Sequence, residues 1–276
     1  KIPSISTRMG VDILPYSNPY YFGLGGMRGN KTPAKLMKEC DLFMGLGTSF
    51  THAFAGENYD QYNSESKLIL VNIDSTELTK PGLKVDFPIE MDVKEFLSRL
   101  VNHLSDHEVG EKYTKWLKRC TDLKKDLPTV LPSYAKNPIN SYYLIECLNK
   151  HSKKNHIFVD DAGSANYICS QGLKLINGQR ELTSGAFYSM GIAVPFAIGA
   201  SVTEPEAQVI SITGDGSIEL NIQELHTISI NNLNIKLFVI NNGGYASIRK
   251  SQDDMVGGRY TDDQEVLNFS KVANAF

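Results

Sequence analysis

The chain has 276 residues, 41% hydrophobic and 21% charged, and its 28 Lys and Arg against 31 Asp and Glu leave a formal net charge of −3. That composition excludes an intrinsically disordered chain and offers no basic surface for nucleic acid or an anionic membrane. The longest apolar stretches, such as Met190–Ala200, reach about half of the roughly 20 residues that a membrane-spanning helix needs, so spanning helices are excluded too.

Lys1-Ile2-Pro3-Ser4 is not followed by the apolar segment of a signal peptide, and the chain does not open on Met; it reads as a fragment. Cys40, Cys120, Cys147 and Cys169 lie tens of residues apart with no CxxC pair. That spacing points to reduced thiols in a cytoplasm rather than to zinc or disulfides.

Thr32-Pro33 reads as the start of a helix running to about Cys40. Asp41–Gly47 and Lys67–Ile73 are short apolar runs of the kind buried on both faces of a parallel sheet. Asp92 caps a helix that carries Val93, Phe96, Leu97 and Leu100 on one face. A charged helix over Glu111–Lys125 holds Trp116, the single tryptophan. Pro128, Pro132 and Pro138 then fall within a stretch that supports neither a regular helix nor a central strand. We place a linker there, between a first domain at 1–130 and a second at 135–276.

The alternation is clearer in the second half. A helix at about 140–150 precedes the strand His156–Asp161. A Gly-containing loop at 184–191 leads into a helix at about 192–202, then the strand Gln208–Thr213. Ile218, Ile222, Leu225 and Ile228 form one helical stripe before the strand Ile235–Ile240. The expected fold class is therefore α/β: two domains, each a mainly parallel sheet flanked by helices.

Two loops directly follow strands. Gly214-Asp215-Gly216-Ser217 comes after Val209–Thr213, and Asn241-Asn242-Gly243-Gly244 comes after Ile235–Ile240. Either run alone also reads as a turn, because Gly, Asp and Asn dominate turns. Together, with 24 residues between Gly216 and Asn241, they read as a metal–diphosphate clamp. Ligands of open parallel sheets sit at the carboxyl ends of strands, and glycines let a phosphate approach the backbone. Asp215 and the Asn242 amide supply the hard oxygens that Mg²⁺ prefers beside phosphates.

On these residues the sequence resembles the thiamine-diphosphate enzymes of the acetolactate synthase type, whose signature is GDG, a spacer of similar length, and NN. Thr183–Pro195 is similar to that family's cofactor loop, Ile157–Ala165 to its earlier strand and diphosphate loop, and Tyr245–Arg249 to the helix after NN. Met9–Asp74 is similar to its central, Rossmann-like domain.

The resemblance implies that Asp215, the Asn242 side chain and the Gly244 carbonyl bind Mg²⁺. It implies that Gly214, Gly216 and Ser217 meet the diphosphate, with Gly163, Ser164 and Ala165 on its other side. Met190 matches the bulky residue that bends the cofactor, with the Tyr188 carbonyl and the Met190 amide on the aminopyrimidine; ordinary core filling is the alternative for Met190. The cofactor's thiazolium is then the electron sink for decarboxylating a 2-oxo acid.

The glutamate that activates the cofactor in such enzymes belongs to a pyrimidine-binding domain that no segment resembles. Glu224 is no substitute, matching a helix position instead. The resemblance thus implies a parent carboligase acting on pyruvate or a similar acid, assembled as a homodimer or homotetramer, with this chain supplying half a cofactor site. A decarboxylase, a two-carbon transferase to a sugar ketone and a non-catalytic homologue are the alternatives.

Gly23–Gly29 is only loosely a dinucleotide fingerprint. Asn72 and Gly47–His52 depart from the residues with which acetohydroxyacid synthases hold FAD, so a structural central domain is expected. Using 23–29 for a flavin or nicotinamide would make a third class, an oxidoreductase. His103 and His107 have helical metal-ligand spacing without a third ligand, and His226 reads as a surface helix residue. Asp160 and Asp161 read equally as substrate contacts or as solvated or capping carboxylates. Ser251 stands where acetohydroxyacid synthases have a tryptophan, which predicts a wider, more polar acceptor pocket.

Overall fold

The computed structural model describes residues 2–57, 59, 65–105, 110–136, 139–260 and 267–276. His107 and, in the proline-rich stretch, Asn137 and Pro138 lie outside them. The chain divides into two compact units, Lys1–Gly10 with Asn18–Thr129, and Val11–Ser17 with Val130–Phe276.

In the first unit β1 (Ser4–Ser6) pairs in parallel with β2 (Tyr21–Leu24). Helix α1 (Lys31–Glu39) starts two residues earlier than Thr32-Pro33 suggests, with Asn30 at the N-cap. Asn30 does not cap through its side chain; its Oδ1 accepts from the Leu24 N–H at 2.9 Å, while Thr32 donates to the Leu123 carbonyl. A parallel sheet in the order β3 (Leu42–Leu46), β4 (Lys67–Asn72), β5 (Phe87–Glu90) follows, interleaved with α2 (His52–Ala55) and α3 (Ser75–Leu78).

Only β4 meets the expectation of burial on both faces. β3 lies at the sheet's edge and leaves Leu42 and Leu46 exposed. The core joins Phe50, Phe54, Leu68 and Leu70, with Phe50 edge-on to both Phe43 and Phe54. Asp92 caps α4 (Val93–Leu104) through the Lys94 and Glu95 N–H groups, as expected, but Leu97, Val101 and Leu104 on its apolar stripe remain exposed. In α5 (Glu111–Asp126), Cys120 and Leu123 pack with Phe22 and Leu36, and Trp116 lies against that cluster.

The second unit is built on a four-stranded, all-parallel sheet in the order β7-β6-β8-β9. Helix α6 (Ser141–His151) leads into β6 (His156–Asp160), α7 (Ser164–Gly172) and β7 (Arg180–Leu182). Next come α8 (Ala193–Thr203), β8 (Gln208–Gly214), α9 (Asp215–Ile218), α10 (Glu224–Ile230) and β9 (Ile235–Ile240), then α11 (Ala246–Met255) and α12 (Phe269–Ala273). Ala193, Ala197 and Ala200 of α8 pack on Val159 and Val209, the small side chains letting the helix sit close to the sheet.

The stripe from Ile218 to Ile228 is not one helix. A 3₁₀ turn at Glu219–Asn221 separates α9 from α10, and there the Asn221 amide donates to the Gly191 carbonyl at 2.8 Å. Val11–Ser17 joins this unit through Tyr16 N–H to the Leu175 carbonyl and through Asp12 to Arg180. Strand order reverses between β6 and β8, so their carboxyl ends leave a crevice, the usual ligand position in such sheets.

Candidate functional site

That crevice is a cleft of about 270 Å³ in the second unit. It gathers Gly163, Ser164 and Ala165 from the start of α7, Tyr188 and Met190 from the loop before α8, Gly214, Asp215, Gly216 and Ser217 from the β8–α9 junction, and Asn242 from beyond β9. Every residue that the resemblance assigns to cofactor or metal, except Gly244, lines it. Ala162, Tyr167, Ile240, Tyr245, Ala246, Ser247 and Ile248 also line it. Among the described residues, no Lys or Arg lines it.

Asp215, 3% exposed, ties the two signature loops together. Its Oδ1 accepts from the Gly216 N–H at 2.9 Å, and its Oδ2 accepts from the N–H groups of Asn242 and Gly244 at 2.8 and 2.9 Å. Gly243 and Gly244 both have positive φ, +82° and +78°, the left-handed backbone that favours glycine. The Gly244 carbonyl does not line the cleft; the Arg249 guanidinium donates to it, to the Gly243 carbonyl, and to the Asn242 carbonyl at 2.9 Å. Gly216 lies against the Tyr245 ring, where an added Cβ would come within 2.9 Å.

The paired aspartates at the end of β6 are buried hydrogen-bond acceptors, not cleft residues. Both are 1% exposed. Asp161 accepts from the N–H groups of Ala162 (2.8 Å), Gly191 (2.9 Å) and Ala193 (3.2 Å), and from the Thr213 hydroxyl (2.9 Å). One carboxylate thus joins the end of β6, the loop before α8 and the end of β8. Asp160 accepts from the Asn166 amide and the Thr183 hydroxyl. In the loop they hold, Tyr188 adopts the left-handed conformation, φ 47°. Sequence spacing gave no sign of these hubs, because Asp161's partners lie up to 52 residues away.

Other candidates fall elsewhere. Glu224 accepts from the Thr227 hydroxyl within α10, and exposed His226 lies near Phe276. Ser251 is exposed on α11, where its hydroxyl meets the Met255 sulfur, and it does not line the cleft. His103 is exposed near the end of α4, and the described residues hold no group of three or more His, Cys, Asp or Glu able to bind a metal. Burial pushes the Cys120 thiol up to about 11, which leaves it unreactive. In the first unit, Asn72 donates to the Thr48 carbonyl and accepts from the Asp74 N–H, while Gly29 packs on the Leu24 carbonyl in a tight turn.

Comparison with known proteins bears on this arrangement. Residues 161–276 match the thiamine pyrophosphate enzyme C-terminal TPP-binding domain, and residues 1–100 match the central domain of the same enzymes. The chain belongs to the thiamine pyrophosphate enzymes. The fold class expected from sequence agrees, and the cleft lies inside the TPP-binding match.

The acetolactate synthase large subunit of Cyanidium caldarium is 32% identical over all of this chain and 47% of its own length. The isozyme 1 large subunit of Escherichia coli is 30% identical over 91% of the chain and 44% of its own length. The probable acetolactate synthase large subunit of Methanocaldococcus jannaschii is 32% identical over all of the chain and 47% of its own length. The chain thus spans about half the length of these relatives. Among the described residues no helix is long and apolar enough to cross a membrane.

Proposed function

We propose that the cleft holds the diphosphate and divalent-cation end of thiamine diphosphate, in a carboligase acting on pyruvate or a similar 2-oxo acid. The observation that carries this reading is the buried Asp215 carboxylate, which joins the GDG and NNGG loops in the cleft that also holds Met190. The donor set fits Mg²⁺. It offers one carboxylate and an amide oxygen, both hard, and among the described residues no cluster of acids or histidines stands in for phosphate oxygens. Among the described residues no Lys or Arg lines the cleft, so in this reading a metal ion and main-chain N–H groups neutralise the diphosphate.

In this reading Asp215 and Asn242 hold the cation, and Gly244 contributes its carbonyl once Arg249 yields it. Gly214, Gly216 and Ser217 on one side, and Gly163, Ser164 and Ala165 on the other, orient the diphosphate. Met190 fills the space between the cofactor's rings, and the Tyr188 carbonyl and Met190 N–H hold its aminopyrimidine. Asp161 sets that loop through Gly191 and Ala193. The bound cofactor supplies an electron sink for loss of carbon dioxide from the 2-oxo acid; the chain's part is to orient, neutralise and exclude water. Phe187, 88% exposed beside this loop, suits a face covered by further polypeptide in a homodimer or homotetramer.

A polar acceptor is the second reading, favoured by the Ser164 and Ser247 hydroxyls that face each other at 3.5 Å. The ratio of acetohydroxybutyrate to acetolactate formed from mixed 2-oxobutyrate and pyruvate tests it, a strong bias to the former speaking against it. The main reading is tested by titration calorimetry. Thiamine diphosphate should bind only with Mg²⁺, and Asp215→Ala should abolish binding. Equal affinity in the variant would overturn the assignment, and absence of binding by the unaltered protein would point to a non-catalytic homologue.

A further inference from the structure

The loop between β9 and α11 has two polar edges. On one, the N–H groups of Asn242 and Gly244 donate to Asp215 Oδ2. On the other, three successive carbonyls, of Asn242, Gly243 and Gly244, converge on the Arg249 guanidinium. Consecutive left-handed glycines at 243 and 244 give the loop this shape. Arg249 lies in the first turn of α11, so the helix that the loop opens also delivers the cation that closes it. A planar five-donor fork suits that task; an ammonium, a point charge, does not.

We propose that Arg249 is the internal counter-cation of the metal loop and competes with the divalent cation for it. The inference rests on the reading of Asp215 and Asn242 as a cation site. With carboxylate on one edge and guanidinium on the other, the loop neutralises itself. Gly244 is buried and its carbonyl faces Arg249, not the cleft. For that oxygen to reach a metal ion the guanidinium must let go, and while it stays its charge repels the ion. Arg249 is thus a positioning residue, acting through Gly244, and it sets how much free divalent cation the site needs.

The sign separates competition from simple propping. A prop, once removed, leaves a looser loop and weaker metal binding; a competitor, once removed, leaves tighter binding. The test measures Mn²⁺ affinity of the purified protein at a fixed thiamine diphosphate concentration, from the loss of the free-ion EPR signal. Arg249→Met removes charge and donors. Arg249→Gln removes the charge but keeps an amide that can still donate to the loop, and serves if the Met variant does not fold by circular dichroism. Competition predicts a dissociation constant lowered about tenfold in each folded variant.

An unchanged or raised constant would overturn the proposal. Asp215→Ala is the control for the underlying reading. If it abolishes Mn²⁺ uptake while the Arg249 variants match the parent, the cation site stands and the competition is wrong. If the parent takes up no Mn²⁺, both fall.

Discussion

Asp215→Asn changes one oxygen to an NH₂ group and separates the structural from the ligand-binding role of this side chain. The carboxylate accepts three main-chain hydrogen bonds, one on Oδ1 and two on Oδ2. With the new NH₂ at the Oδ1 position it faces the Gly216 N–H, donor against donor; at the Oδ2 position it faces two such donors. The first arrangement wins, losing one bond and converting two charge-assisted bonds to neutral ones. A lost bond to a buried charged acceptor costs about 1.5–3 kcal/mol, and each conversion about half of that, for a total of about 3–6 kcal/mol. A body of about 150 residues shifts in Tm by about 2–4 °C per kcal/mol, so the metal-free variant should melt roughly 6–24 °C lower.

Calorimetric melting in chelator reads that shift, following the transition of the second unit. The ligand role is read by adding Mg²⁺ and thiamine diphosphate. A ligand at 100 times its dissociation constant stabilises by about 2.7 kcal/mol, so the parent should gain about 5–11 °C and the variant almost nothing. If the metal-free melting point stays within about 2 °C of the parent, the carboxylate does not hold the two loops together. If the ligand-induced gain survives, Asp215 is not the metal anchor.

Gly191→Ala should destabilise by more than about 3 kcal/mol, because φ is +81° and a Cβ would lie 2.7 Å from that of Leu220; a melting point within about 2 °C of the parent would refute this. Met190→Ala should weaken cofactor binding at least tenfold yet cost less than about 1 kcal/mol in stability, since the half-buried side chain faces the cleft; a core role would reverse that pattern in calorimetry. His156 is held below its ordinary 6.5 by burial and then by the Lys153 charge, and its Nδ1 accepts from the Lys153 N–H. The neutral ring is therefore the folded form, so its contribution is complete above about pH 6.5 and is lost as pH falls through the depressed value. Melting points of the parent should fall more steeply from pH 7 to 5.5 than those of His156→Gln, and parallel curves would refute this.

What was legible in the sequence followed from local physics. β4, β6 and β8 read as apolar runs because both their faces are covered, and the GDG and NNGG loops stood out because strand ends need Gly, Asp and Asn for turns and ligands alike. Asp92 announced its helix because capping is a contact within three residues. The aspartate hubs were not legible. Whether Asp161 is solvated or buried depends on the reversal of strand order between β6 and β8, which brings Gly191, Ala193 and Thr213 around it. The edge position of β3 was hidden for the same reason, since an apolar run does not say how many neighbours a strand will have.

Ser251 shows that a match in sequence does not by itself place a side chain in the cleft. Position 251 follows 247 by four residues, so both lie on one face of α11, and Ser247 does line the cleft. Four residues are also about 6 Å along the helix axis. The cleft meets α11 only at Ala246, Ser247 and Ile248, within its first turn, and one turn on the same face has passed the rim. The Ser251 hydroxyl accordingly turns to its own helix, meeting Met255 at 3.6 Å. On the proposed reading, α11 can widen an acceptor end only through its first turn, where Ser247 faces Ser164 across the opening. Restoring bulk at 251 leaves that opening as it is, whereas Ser247→Met narrows it directly. The two substitutions, compared in the product ratio from mixed 2-oxo acids, should thus separate, with Ser247→Met shifting the ratio and Ser251→Trp leaving it near the parent value. A larger effect at 251 would mean that the helix moves toward the cleft when the site is filled.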